Sequence, residues 1–151
     1  PNWFGREFRN LETLRLSYCG ELEELPQAIR FLVVLKSLDL SGTKLKTLRD
    51  WCVERNELLE VLNLAGCVQL QVLPTRIGRL KKLLALDLSK CTALEELPDS
   101  ISNLDKLKSL NLSGTSLRVL PNNFGEGLTE LEKLDLSNCG ALEELPKNLG
   151  S

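Results

Sequence analysis

The chain has no histidine and no methionine, and only seven aromatic residues (four Phe, two Trp and one Tyr) among its 151. Without histidine, no Ser–His or Cys–His pair can form within the chain, so the commonest nucleophilic mechanisms are excluded. A Cys/His zinc site is excluded with them, and no C-x-x-C occurs among the five cysteines. The longest unbroken apolar run is 31–35, far short of the roughly 20 residues a spanning helix needs. No signal peptide and no glycine-rich phosphate loop is visible. Charge is nearly balanced, 19 basic against 21 acidic residues, for a net charge of −2. That weighs against nucleic acid or an anionic membrane as partner. The length suffices for one domain with a sizeable core, in which leucine supplies most of the apolar content.

Internal repetition decides the reading. The pattern L-x-x-L-x-L begins at Leu11, Leu35, Leu59, Leu83, Leu107 and Leu131, a step of 24 residues each time. The repeats are therefore 11–34, 35–58, 59–82, 83–106, 107–130 and 131–151. The first ten residues match the tail of a further copy, since PNWFGREFRN aligns with PNNFGEGLTE at 121–130. The chain is thus expected to be one domain and an internal slice of something longer. Within each copy, L-x-L alternates apolar and polar residues, the period of a half-buried strand. Proline at 26, 74, 98, 121 and 146 then blocks strand pairing and turns the chain back. One such unit cannot bury its leucines alone, but stacking the units buries them between neighbours. The expected fold is an α/β solenoid, a horseshoe with one parallel strand near 11–17 and every 24 residues after. Its convex segments should be irregular or 3₁₀, with little α-helix.

The full pattern L-x-x-L-x-L-S-x-C-x-x-L-x-x-L-P-x-x-I-x-x-L is carried, with small departures, at 11–32, 59–80 and 83–104. It resembles the leucine-rich repeats of plant intracellular disease-resistance receptors, which also carry a nucleotide-binding switch. The resemblance covers nearly the whole chain. It implies a cytoplasmic repeat region that senses pathogen proteins or restrains the neighbouring switch. No nucleotide-binding motif lies in this chain, and no cofactor is expected.

Four cysteines, Cys19, Cys67, Cys91 and Cys139, share one repeat position just after the strand, filled by Thr43 and Thr115 in the other two copies. A small weak donor there is expected to contact backbone groups of the turn, so these should be buried, reduced thiols. Only Cys67 and Cys91 lie in neighbouring copies, so disulfides are not expected, and free thiols fit a reducing cytosol.

No catalytic, metal or cofactor residues are expected. The pairs Glu23-Glu24, Glu95-Glu96 and Glu143-Glu144 point to opposite sides of an extended segment and cannot flank one bond. The basic run Arg76, Arg79, Lys81 and Lys82 lacks the interleaved aromatics of a nucleic-acid patch and is expected to be a solvated convex surface.

Two partner-binding surfaces are expected instead. On the strand face, Arg15, Asp39, Asn63, Asp87, Asn111 and Asp135 form a mildly acidic column, with Tyr18 as its aromatic. A second column, Glu12, Lys36, Glu60, Leu84, Lys108 and Glu132, alternates in sign and can pair with itself across strands. On the returning side, Val33, Val34 and Leu58 are apolar where other copies are polar. Trp3 and Trp51 share one position there, and the five residues could form a docking patch near the N-terminal end. The expected function is non-catalytic protein binding. Alternatives are an architectural or autoinhibitory repeat docking on its own chain, or a designed consensus repeat protein. Arg49-Asp50-Trp51 in place of Leu-Pro, and Asn56 in place of Leu, argue against design.

Overall fold

The computed structural model describes residues 7–147. Six three-residue strands, β1 (Thr13–Arg15), β2 (Ser37–Asp39), β3 (Val61–Asn63), β4 (Ala85–Asp87), β5 (Ser109–Asn111) and β6 (Lys133–Asp135), pair in parallel in sequence order. Every register step is 24 residues, as in Leu14 opposite Leu38 and Leu110 opposite Leu134. The sheet is open, and the repeated fold is a solenoid. The strands proper are shorter than the expected 11–17, but the backbone ladder is not. Lys36 N–H donates to Glu12 O, Leu16 N–H to Asp39 O, and Tyr18 N–H to Ser41 O. Bonds between neighbouring repeats therefore span 12–18.

A left-handed residue ends each strand segment. Tyr18, Gly42, Gly66, Lys90, Gly114 and Asn138, spaced by 24, all have φ between 58 and 70°. Glycine and asparagine tolerate this region at little cost, whereas Tyr18 and Lys90 are strained there.

From that bend the chain advances three residues at a time. In the third repeat Cys67 N–H donates to Leu64 O, Leu70 to Cys67, Ile77 to Pro74, Leu80 to Ile77 and Leu83 to Leu80. Such i→i+3 bonds make three residues per turn, so apolar side chains three apart fall on one side. Leu64, Cys67, Leu70, Leu73, Ile77, Leu80 and Leu83 are all buried. The return segments include short 3₁₀ helices at Gln27–Phe31, Asp50–Cys52, Ile77–Arg79 and Asp99–Asn103, and one four-residue helix, α1 (Phe124–Gly127). The core is one continuous leucine stack, with Leu11 and Leu14 in repeat 11–34 and Leu131 and Leu134 in repeat 131–151 only half-buried.

The Cys/Thr position crosslinks the stack. Cys67 Sγ donates to the carbonyl of Leu40 in the preceding repeat (3.1 Å), Cys91 to Leu64 (3.2 Å) and Cys139 to Leu112 (3.1 Å). Thr43 and Thr115 donate to their own repeat's Leu40 and Leu112 carbonyls at 2.8 Å. The cysteine bond thus reaches across to a neighbour and not only into its own turn. Cys67 and Cys91 are buried, but Cys19 is exposed and Cys139 half-buried, which corrects the expectation for those two. Burial at this position needs a repeat packed on each side, as Cys67 and Cys91 have; among the described residues Cys19 has no full repeat before it and Cys139 none after it. All five thiols are free. Burial pushes the Cys52 and Cys91 thiols up to about 12.

Candidate functional site

On the sheet face, the residues of the expected recognition column are bound into the turns that follow. Asp39 Oδ1 accepts the N–H (3.0 Å) and hydroxyl (2.7 Å) of Ser41. Asn63 accepts from Ala65 N–H, Asp87 from Ser89 N–H, Asn111 from Ser113 N–H and hydroxyl, and Asp135 from Ser137 N–H. Each is an Asx turn that caps the backbone as the chain leaves the strand and enters the left-handed bend. Hydrogen bonds from Ser137 hold the Asp135 carboxyl below its ordinary range. These side chains thus have a structural task, and their remaining faces border solvent: Asp39, Asn63, Asp87 and Asn111 are half-buried, Asp135 exposed. Arg15, which cannot accept such a bond, is exposed. Tyr18 is 82% exposed, yet its ring rests on the next repeat at the spot where a Cβ on Gly42 would meet Cδ1 at 2.5 Å.

The second column pairs partly with itself. Lys36 meets Glu12 at 3.1 Å and Lys108 meets Glu132 at 3.1 Å. Between these two pairs Leu84 (37% exposed) and Val61 (39% exposed) stand on the adjacent strand segments of repeats three and four. Both are exposed apolar side chains on neighbouring repeats near the middle of the sheet face. Val61 carries no signal in the repeat pattern except that its matches, Thr13, Ser37, Ala85 and Ser109, are small and Lys133 is polar. Comparing the six copies at this position would have found it.

The returning-side residues do not share one cavity. Leu58 is half-buried beside Arg79 and Lys82. Trp51 is half-buried, packs against the core, and borders a separate groove with Thr47, Val72 and Pro74. Val33 is exposed, Val34 half-buried, and neither borders those two cavities. Trp3 lies outside the described residues. The departure at Arg49-Asp50-Trp51 has a local cause: Asp50 accepts from the Thr75 hydroxyl (3.0 Å) and the Arg76 N–H (3.1 Å), stitching repeat two to repeat three. The acidic flank is also paired, as Glu23 with Lys46 (2.8 Å), Glu24 with Arg49 (3.8 Å) and Glu95 with Arg118 (3.1 Å). Lys46 holds the Glu23 carboxyl below its usual range. Among the described residues no cluster of three or more metal-ligating side chains occurs, and no helix is long and apolar enough to cross a membrane.

The register of 24, the open parallel sheet and the Leu–Pro return meet in known proteins. A family model described as Leucine Rich Repeat matches residues 10–32, 106–126 and 130–151. The chain folds as a leucine-rich repeat domain. It is 32% identical to the leucine-rich repeat ectodomain of the plant membrane receptor kinase GASSHO1/SCHENGEN3 from Arabidopsis thaliana, solved in complex with CASPARIAN STRIP INTEGRITY FACTOR 2. That match covers 96% of this chain and 17% of that one, with a TM-score of 0.74. Identity is also 32% with the leucine-rich repeat domain of the type III effector XopL, over 75% of this chain and 38% of that one (TM-score 0.68). A chain of the BIR3–SERK2 complex from Arabidopsis thaliana is 29% identical over 77% of this leucine-rich repeat domain and 66% of its own length (TM-score 0.53). The domain therefore spans well under half the length of the first two. Leucine-rich repeats are in general protein-interaction modules and typically non-catalytic.

Proposed function

We propose that this leucine-rich repeat domain is the recognition or regulatory repeat region of a plant-type intracellular immune receptor, binding a protein through its sheet face. The observation that carries the binding reading is the exposure of Val61 and Leu84, apolar side chains on neighbouring repeats between two ion pairs that satisfy their own charges. A contact centre that excludes water, ringed by polar groups, is the usual anatomy of a protein interface. The plant receptor class rests on the Cys–Leu–Leu-Pro pattern of 11–32, 59–80 and 83–104, and the cytosol on thiols that hydrogen-bond as thiols. Two similar structures are themselves complexes from Arabidopsis thaliana, a membrane receptor kinase ectodomain with CASPARIAN STRIP INTEGRITY FACTOR 2 and BIR3 with SERK2. The test is affinity capture from plant extract with the immobilised domain, run beside Val61→Glu/Leu84→Glu. A protein retained by the wild type and lost with the double variant supports the reading. Equal retention, or no protein retained at all, overturns it.

A further inference from the structure

Repeat three departs from its neighbours on the returning side. Arg76, Arg79, Lys81 and Lys82 fall within seven residues, while the match to Arg76 is Ala28, Trp51, Ser100 or Asn123 and the match to Lys81 is Val33, Glu57, Asp105 or Thr129. All four cations are exposed on the returning side, as expected of a solvated surface. All four border one cavity of about 830 Å³. Leu58 borders it too, as does Ser100, whose hydroxyl is buried with no partner. Gly78 lies at the base of the cleft, where a Cβ would overlap the Ser100 carbonyl oxygen, so the backbones of repeats three and four touch. One carboxylate, Glu57, borders the cavity against four cations, in a chain whose net charge is −2.

The cations divide into two kinds. Arg76 is held by Glu54 at 2.6 Å, and Lys81 donates to the Asn103 carbonyl at 2.6 Å with Asp105 at 3.8 Å. Arg79 and Lys82 are exposed and make no side-chain hydrogen bond or ion pair among the described residues. Other cations pair between adjacent repeats, as Lys44–Glu21, Lys106–Glu130 and Arg118–Glu95 do, so Arg79 and Lys82 are the two at this groove whose charge is uncommitted. Two unspent positive charges beside a half-buried leucine match carboxylates alternating with an apolar side chain. No aromatic side chain borders the cavity, which removes the stacking a single-stranded nucleic acid would use.

We infer that this cleft docks an acidic segment of a protein, its carboxylates on Arg79 and Lys82 and an apolar side chain on Leu58. The inference rests on the protein-binding reading above, but it names a second face, independent of Val61 and Leu84. The test is fluorescence anisotropy of a labelled peptide alternating glutamate and leucine, titrated with the whole chain. The expected result is saturable binding that weakens about tenfold or more in Arg79→Glu/Lys82→Glu. Leu58→Ser should weaken it as well, Lys133→Glu on the sheet face should leave it unchanged, and rising salt should weaken it. Thermal melts check that each variant is folded; Arg79 and Lys82 have no partner to lose. No saturable binding, equal binding by the charge-reversed variant, or tighter binding of a labelled oligouridylate of equal charge would overturn the inference. A domain that captures protein through Val61 and Leu84 but ignores the peptide overturns only the cleft. One that does neither overturns both readings.

Discussion

Replacing Asn56 by leucine is expected to stabilise the domain. Asn56 is wholly buried, in the place that leucine occupies at 32, 80, 104 and 128. Its Nδ2 donates to the Cys52 carbonyl at 2.6 Å, but its Oδ1 is buried with no partner. That oxygen costs about 1–3 kcal/mol, and removing the amide exposes the Cys52 carbonyl to a similar cost, so these nearly cancel. Burying the leucine side chain contributes about 1.5–3 kcal/mol, reduced by about 1 kcal/mol or more of crowding in a site shaped for asparagine. The net is near 1 kcal/mol in favour of leucine, or a rise in Tm of roughly 3 °C for a chain of this size. The assay is a thermal melt followed by circular dichroism, repeated in urea. A fall in Tm would refute the reasoning. It would mean that the Asn56–Cys52 bond holds this turn closed and that the unpaired oxygen is nearly free of cost.

Gly127→Ala should destabilise by at least about 2 kcal/mol, because a Cβ there overlaps the Ser102 carbonyl oxygen of the preceding repeat; an unchanged urea midpoint would show that the repeats can part without loss. Lys90→Gly should stabilise by about 0.5–1 kcal/mol, since relief of its left-handed backbone (φ 59°) outweighs the added freedom of the unfolded glycine. Gly66→Ala is the reverse test, with nothing nearer to the new Cβ than Gly42 at 3.8 Å. Stability should fall above pH 9. The Cys52 and Cys91 thiols ionise near 9.0 when unfolded and near 12 when folded, so in that window the unfolded chain binds fewer protons and is favoured. Each thiol contributes about 1.4 kcal/mol per pH unit, and a Cys91→Ala chain should show a shallower loss in urea melts across that range. In native protein a thiol reagent should modify Cys19 first, and rapid labelling of Cys91 would contradict its burial.

The repeat architecture was legible because one number, 24, recurs in leucine, and parallel register follows from it without further knowledge. The three-residue pacing of the return half is also written in the chain, as Leu64, Cys67, Leu70 and Leu73, in line with the expected irregular or 3₁₀ convex segments. The partner-binding columns were read from exposure alone. Whether an Asp faces a partner or its own backbone two residues on depends on the bend at 18, 42 or 66, which strand alternation does not reveal. Val61 is legible only by comparing the six copies, where it is the one large apolar residue among Thr13, Ser37, Ala85, Ser109 and Lys133. The basic cleft was legible as a run of charge but not as a cavity, since Leu58 and Ser100 belong to the repeats on either side of it.

The hydrogen bonds and ion pairs described above reach at most 27 residues along the chain. Each closed loop therefore carries nearly the same entropic cost, and no contact waits for a distant part of the chain to arrive. Such a molecule behaves like a zipper, able to start at any sufficiently stable pair of turns and to fray from either end. The same locality bears on ancestry. A unit can be copied into or lost from the row with only its immediate neighbours affected; where a Thr copy follows a Cys copy, as Thr115 follows Cys91, the intervening Leu88 carbonyl keeps the backbone N–H of its own turn.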